Sequence, residues 1–144
     1  MYCSVDDINS IVPASTLVQL TDDTNGNTLN EAIVTQAIQF ASDEIDLYLG
    51  GLYTVPLATV PDIIKRLCID LTTYNLYTRR FGFELQMPES MLQRRKEILR
   101  QLEQIQSGKL DLGIDTATSP GQGYYKTNKT KWSRVFSQHR LREF

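Results

Sequence analysis

Three stretches of this chain each open on a helix-initiating signal, run for about twenty residues and stop at glycine. The first opens at Thr28 and Glu31, which have capping-box spacing, and stops at Gly50 and Gly51. The second runs from Pro61 to Gly82 and the third from Pro88 to Gly108. Within each, apolar residues recur at helical spacing, and no strand-like alternation competes. Ahead of them, Ser4 and Asp7 form another capping box, with Val5, Ile8, Ile11 and Val12 behind it, and Pro13 opens a further turn from Ala14 to Leu20. The expected fold is therefore all-α: a small bundle of about four main helices plus a short N-terminal helix, occupying residues 1–112. The Val55-Pro56 and Val60-Pro61 steps make the connector between the first two long helices stiff and extended.

The helical phases also indicate what each face meets. On the helix ending at Gly50, Ile33, Val34, Ala37, Phe40, Ala41, Ile45, Leu47, Tyr48 and Leu49 cover well over half the circumference, so it is central or shared with a neighbour. On the next helix, Ile63, Ile64, Leu67, Cys68, Leu71 and Tyr74 make one stripe, while Ile69 and Leu76 fall nearly opposite. That second apolar face predicts subunit contacts at Ile69 and Leu76. On the third, Met91, Leu92, Ile98, Leu99, Leu102 and Ile105 point inward. Two charges break pattern, Glu44 and Arg95, each inside an apolar arc, and Arg66 and Asp70 sit four apart at a stripe edge. An unpaired buried charge is costly, so these four are internal ion-pair candidates, with Arg95 met by Glu44 or Asp70.

Charge divides the chain differently. Residues 1–123 carry nine Lys and Arg against sixteen Asp and Glu, whereas residues 124–144 carry six basic residues against Glu143 alone. A basic, aromatic tail at 124–144 behind an acidic body, joined by a flexible linker at 113–123, reads as a docking element. If Trp132 starts a helical turn, Val135 and Phe136 share its face, while Leu141 points about 180° and Phe144 about 120° away. A single flat surface cannot bury them all, so the tail is extended or partly helical and gripped from several sides. Folding back onto its own acidic body as a last helix is the plainer alternative. Because Lys126, Lys129, Lys131 and Arg134 interleave with Tyr124, Tyr125 and Trp132, a nucleic-acid contact is a further one.

Chemistry is sparse. The one histidine, His139, lies in the tail with no Ser-His-Asp or Cys-His set around it, so no catalytic residues are assigned and no enzyme is expected. TDDTNGNT lacks calcium-loop spacing, GGLY is a helix stop and not a phosphate cradle, and neither metal nor cofactor is expected. Cys3 and Cys68 read as two free thiols. No apolar run could span a membrane, and MYCSVDDI lacks signal-peptide features, which points to the cytoplasm as the site of synthesis.

The opening MYCSVDDI, the QLTDD loop, EAIVTQAIQFASDEIDLYLGGLYTVPLATVPDIIKRLCIDLTTYNLY, MPES, SGKLDLG and the terminal RVFSQHRLREF together resemble a Mu-like bacteriophage head-morphogenesis protein family. That family is similar in turn to the head-completion adaptors, or head-tail connectors, of long-tailed phages. The resemblance implies a homo-oligomeric, typically dodecameric ring in the virion neck, assembled in the host cytoplasm beneath the portal protein and receiving a stopper or tail-completion protein on its other face. Double-stranded DNA would pass through the lumen without sequence-specific contact. The portal-docking residues implied are Trp132, Arg134, Val135, Phe136, Arg140, Leu141, Arg142 and Phe144, with Glu143 standing where the family ending has glycine. The rival reading is a DNA-binding packaging or regulatory protein that uses the same tail.

Overall fold

A computed structural model describes residues 1–23, 27–82 and 87–117. These hold five helices in chain order: α1 (Val5–Ile11), α2 (Ala14–Thr21), α3 (Glu31–Leu49), α4 (Asp62–Phe81) and α5 (Glu89–Gln106). Among the described residues there is no strand, and the all-α expectation holds.

The caps explain where the helices begin. Ser4 Oγ accepts from the Asp7 amide at 3.2 Å while the Ser4 amide donates to the Asp7 carboxylate at 2.9 Å, the reciprocal capping box read from the sequence. Lys65 on α4 reaches the same carboxylate at 2.7 Å, and together these donors hold Asp7 well below the usual carboxylate range, at about 2. The start of α3 differs from expectation. Asn30, not Thr28, is its N-cap, accepting from the Ile33 amide at 3.4 Å. The Asn30 amide is meanwhile drawn to Thr21 Oγ1 at 3.3 Å, which anchors the entry to α3 on the end of α2. Pro13, Pro61 and Pro88 precede α2, α4 and α5, where a missing amide hydrogen loses nothing. Gly82 and Gly108 end α4 and α5 at φ 68° and 69°, a region that side chains disfavour. The Val55-Pro56 peptide is cis.

α3 and α4 form the central pair; α5 packs across both, α2 lies mainly against α4, and α1 bridges α3 and α4. Their shared core is aliphatic, with Ile8, Leu17, Val34, Ile45, Leu49, Ile64, Leu71, Leu102 and Ile105 fully enclosed. Among the described residues Thr21, Ser42 and Thr72 are the buried polar ones, and each hydroxyl donates to the carbonyl four residues back, to Leu17, Ile38 and Cys68. Arg79, at the end of α4, donates to the Leu20 carbonyl at 3.2 Å and pairs with Asp23, fastening α2 down.

Burial on α4 corrects one expectation. Ile69 is 5% exposed and Leu76 is fully buried, so the second face of α4 is core and not subunit contact. The reason is topological: α4 is wrapped by α2 on one side and by α3 and α5 on the others. α5 is corrected in the opposite sense. Ile98, Leu102 and Ile105 are buried, but Leu92 is exposed, and no residue from 89 to 96 is buried, because only the C-terminal half of α5 lies over the core. After α5 the chain turns back along the body: Leu110, Leu112 and Ile114 pack against the core and the Ala117 amide donates to the Leu52 carbonyl at 2.8 Å. Residues 113–117, expected as flexible linker, therefore lie on the body.

Candidate functional site

α3 is the element on which the remaining surface features converge. Its inner face, from Val34 through Ile45 to Leu49, is core, and its outer face carries Phe40 and Leu47, seven residues apart and so on nearly the same side. They are 57% and 80% exposed, large apolar groups left in water. Phe40 edges a groove of about 540 Å³ between α3 and α4, lined also by Ile33, Ala37, Glu44, Leu76 and Arg79. The over-wide apolar arc is thus divided: most of it serves the core and a flank is left facing outward.

Beside the groove, Arg95 of α5 grips Glu44 of α3 through two bonds, Nη1 to Oε2 at 3.0 Å and Nη2 to Oε1 at 2.6 Å. Each side chain is 24% exposed, and the Arg95 guanidinium lies 4.8 Å from the centre of the Tyr74 ring. A planar guanidinium satisfies both contacts at once, which a lysine could not. The pattern-breaking charges at 44 and 95 therefore meet as an ion pair. Asp70 is bound by Arg94, at 2.8 and 2.9 Å, and not by Arg95 or by its helical neighbour Arg66. Among the described residues Arg66 makes no ion pair; it lines a groove of about 710 Å³ between α4 and α5.

One juxtaposition had no signal in the sequence. Cys3 and Cys68 are 65 residues apart in the chain, and their sulfur atoms are 3.1 Å apart. Spacing cannot reveal such a pair, because it depends on how Met1 to Ser4 crosses the helices. Tyr2 directs that crossing: its amide donates to Ser42 Oγ at 3.2 Å, its hydroxyl donates to Asp46, and the Leu57 amide donates to that hydroxyl at 3.2 Å. Burial and the Asp46 carboxylate push the Tyr2 phenol up to about 12. No cluster of three or more metal-ligating side chains occurs among the described residues, and no helix there is long and apolar enough to cross a membrane. The proposed docking residues Trp132, Arg134, Val135, Phe136, Arg140, Leu141, Arg142 and Phe144 lie outside the described residues.

The family described as Bacteriophage Mu, Gp36 matches residues 2–127, which include all five helices and the returning segment. This chain belongs to that family. Its relatives include the Mu-like prophage FluMu protein gp36 of Haemophilus influenzae, 32% identical over 114 residues that cover 76% of this chain and 77% of the relative. Gene product J of Escherichia phage Mu is 34% identical over 93 residues, 63% of this chain and 62% of that protein. The Gp36 match thus takes in the core, the Glu44–Arg95 pair and both cysteines, and ends before Trp132.

Proposed function

We propose that this Gp36-family protein is a non-enzymatic structural adaptor of the phage neck, a head-tail connector that forms a ring below the portal and links the capsid vertex to stopper or tail-completion proteins. The observation that carries this reading is the outward flank of α3. Phe40 and Leu47 stand exposed on a helix whose other face is core, so a neighbour bound there would pack directly against a central element of the subunit. A closed ring needs two different surfaces on each subunit. In this reading the α3 flank is one of them, replacing Ile69 and Leu76, and the neighbouring copy is its occupant. The acidic balance of residues 1–123 supports a bore that repels DNA phosphate, so that double-stranded DNA slides and is not gripped. The basic, aromatic segment from Trp132 to Phe144 supplies the portal-docking groups, with arginines for partner carboxylates and aromatic side chains as anchors.

Mixing the purified protein with assembled portal, intact or cut after Gly123, tests this reading directly. The intact chain is expected to co-sediment with the portal and the cut chain to remain free; equal docking of both removes the tail as anchor. The six basic residues against one acid in the tail favour a second reading, a packaging or regulatory protein that binds DNA. That reading requires DNA affinity that falls steeply with salt and disappears on cutting at Gly123, whereas the adaptor reading expects little affinity at any salt concentration.

A further inference from the structure

We propose that Cys3 and Cys68 are a dithiol site that closes to an intramolecular disulfide, stapling the N-terminal segment to the middle of α4 when the protein passes from reducing to oxidising surroundings. The inference is independent of the neck reading and rests on geometry. The two sulfur atoms are 3.1 Å apart, in contact and about 1 Å from bonding distance. Neither sulfur is free to drift. Cys68 is fully buried on α4, and Cys3 is held beside it because Tyr2, one residue earlier, is anchored to Ser42, Asp46 and Leu57. Exposure separates their roles: Cys3 is half-buried and can be reached by a small reagent, and Cys68 cannot.

The electrostatics favour the anion on Cys68 with the shared proton on Cys3, and the outer sulfur becomes the nucleophile when that proton crosses to Cys68. The hydrogen bond between the two thiols pulls Cys68 below the usual thiol range and pushes Cys3 above it, so that the pair gives up one proton readily and holds the other between the two sulfurs. The oxidant class is a low-molecular-weight disulfide. When the negative charge sits on Cys3, that sulfur attacks the reagent, forms a mixed disulfide and expels one reagent thiol. The Cys68 thiolate then attacks the Cys3 sulfur, breaks the mixed bond and expels the second. The protein loses two electrons and two protons, and the reagent disulfide becomes two thiols. The bond would close a loop of 65 residues, long enough for a large restriction of the unfolded chain.

Incubating the full-length reduced protein with excess oxidised glutathione, followed by intact-mass and peptide mapping, reads the outcome. The expected product is monomeric, lighter by two hydrogens, with the peptides of Cys3 and Cys68 joined, and with a thermal midpoint roughly 10 °C above that of the reduced form. Cys3→Ser is expected to gain neither bond nor midpoint shift. Cys68→Ala, once shown helical by circular dichroism, is expected to accumulate the glutathione adduct on Cys3 that the parent does not keep. If the alanine variant does not fold, the parent and Cys3→Ser decide the matter. A lasting glutathione adduct on the parent overturns the proposal, as do disulfide-linked dimers, or two thiols that remain alkylatable after oxidation and unfolding.

Discussion

Tyr2 and Arg95 show how much a single side chain can hold in this small bundle. The Tyr2 hydroxyl is both donor, to Asp46, and acceptor, from the Leu57 amide, so Tyr2→Phe leaves a buried amide without its partner. Chemical denaturation is expected to show a loss of about 1–3 kcal/mol at neutral pH. The pH dependence follows from the same contacts. The folded phenol sits at about 12 against 10.0 for a tyrosine in the unfolded chain, so between those limits the folded state keeps a proton that the unfolded chain has released. Stability from this group is complete below pH 10 and is lost as the pH rises toward 12. Lys65, raised by Asp7, adds an alkaline loss of the same sign, and comparison with Tyr2→Phe isolates the tyrosine share. For Arg95, a double-mutant cycle with Glu44 is expected to give a coupling of about 1–2 kcal/mol, above the usual surface pair because the bond is two-pronged and partly buried. Arg95→Lys should lose most of it, since lysine cannot keep both bonds and the Tyr74 face. This pair was legible in the sequence from two charges out of phase with their helices. The partner of Asp70 was not: helix phase offered Arg66 and Arg95, and only the relative rotation of α4 and α5 brings Arg94 to it instead.

At the scale of elements, α3 keeps the double role its over-wide arc predicts, whereas the second apolar face of α4 is core. Ile69 and Leu76 promised an outward face on α4, and the helices packed around α4 bury them, with Leu76 turned toward α3; α3 keeps an outward flank at Phe40 and Leu47. Thermal or denaturant unfolding separates the two. Leu76→Ala is expected to cost about 2–5 kcal/mol through the cavity it leaves. Leu47→Glu should change monomer stability by less than about 0.5 kcal/mol, since its side chain touches mainly water, while weakening self-association in sedimentation experiments. A stability loss at Leu47 equal to that at Leu76 would contradict the assignment of faces. Helix ends follow from the sequence where proline or glycine dictates backbone geometry, as at Pro61, Gly82, Pro88 and Gly108. The start of α3 lies at Asn30 and not Thr28 because several residues there can cap, and the hydrogen bond from the Asn30 amide to Thr21 at the end of α2 selects one of them.

For the whole molecule, the chain alone determined that it would be all-helical, where its long helices stop, and that an acidic body precedes a basic, aromatic tail. Those properties follow from local backbone geometry, from the 3.6-residue period and from counting charges, none of which needs a partner across the fold. Its membership of the bacteriophage Mu Gp36 family was likewise carried by blocks of sequence. The tertiary structure decided which apolar face is buried and which is offered, which arginine meets which carboxylate, and that residues 113–117 return to the body. It also brought Cys3 against Cys68. Each of these depends on how one helix is rotated and placed against another, and packing many side chains at once sets that rotation, which no spacing along the chain encodes.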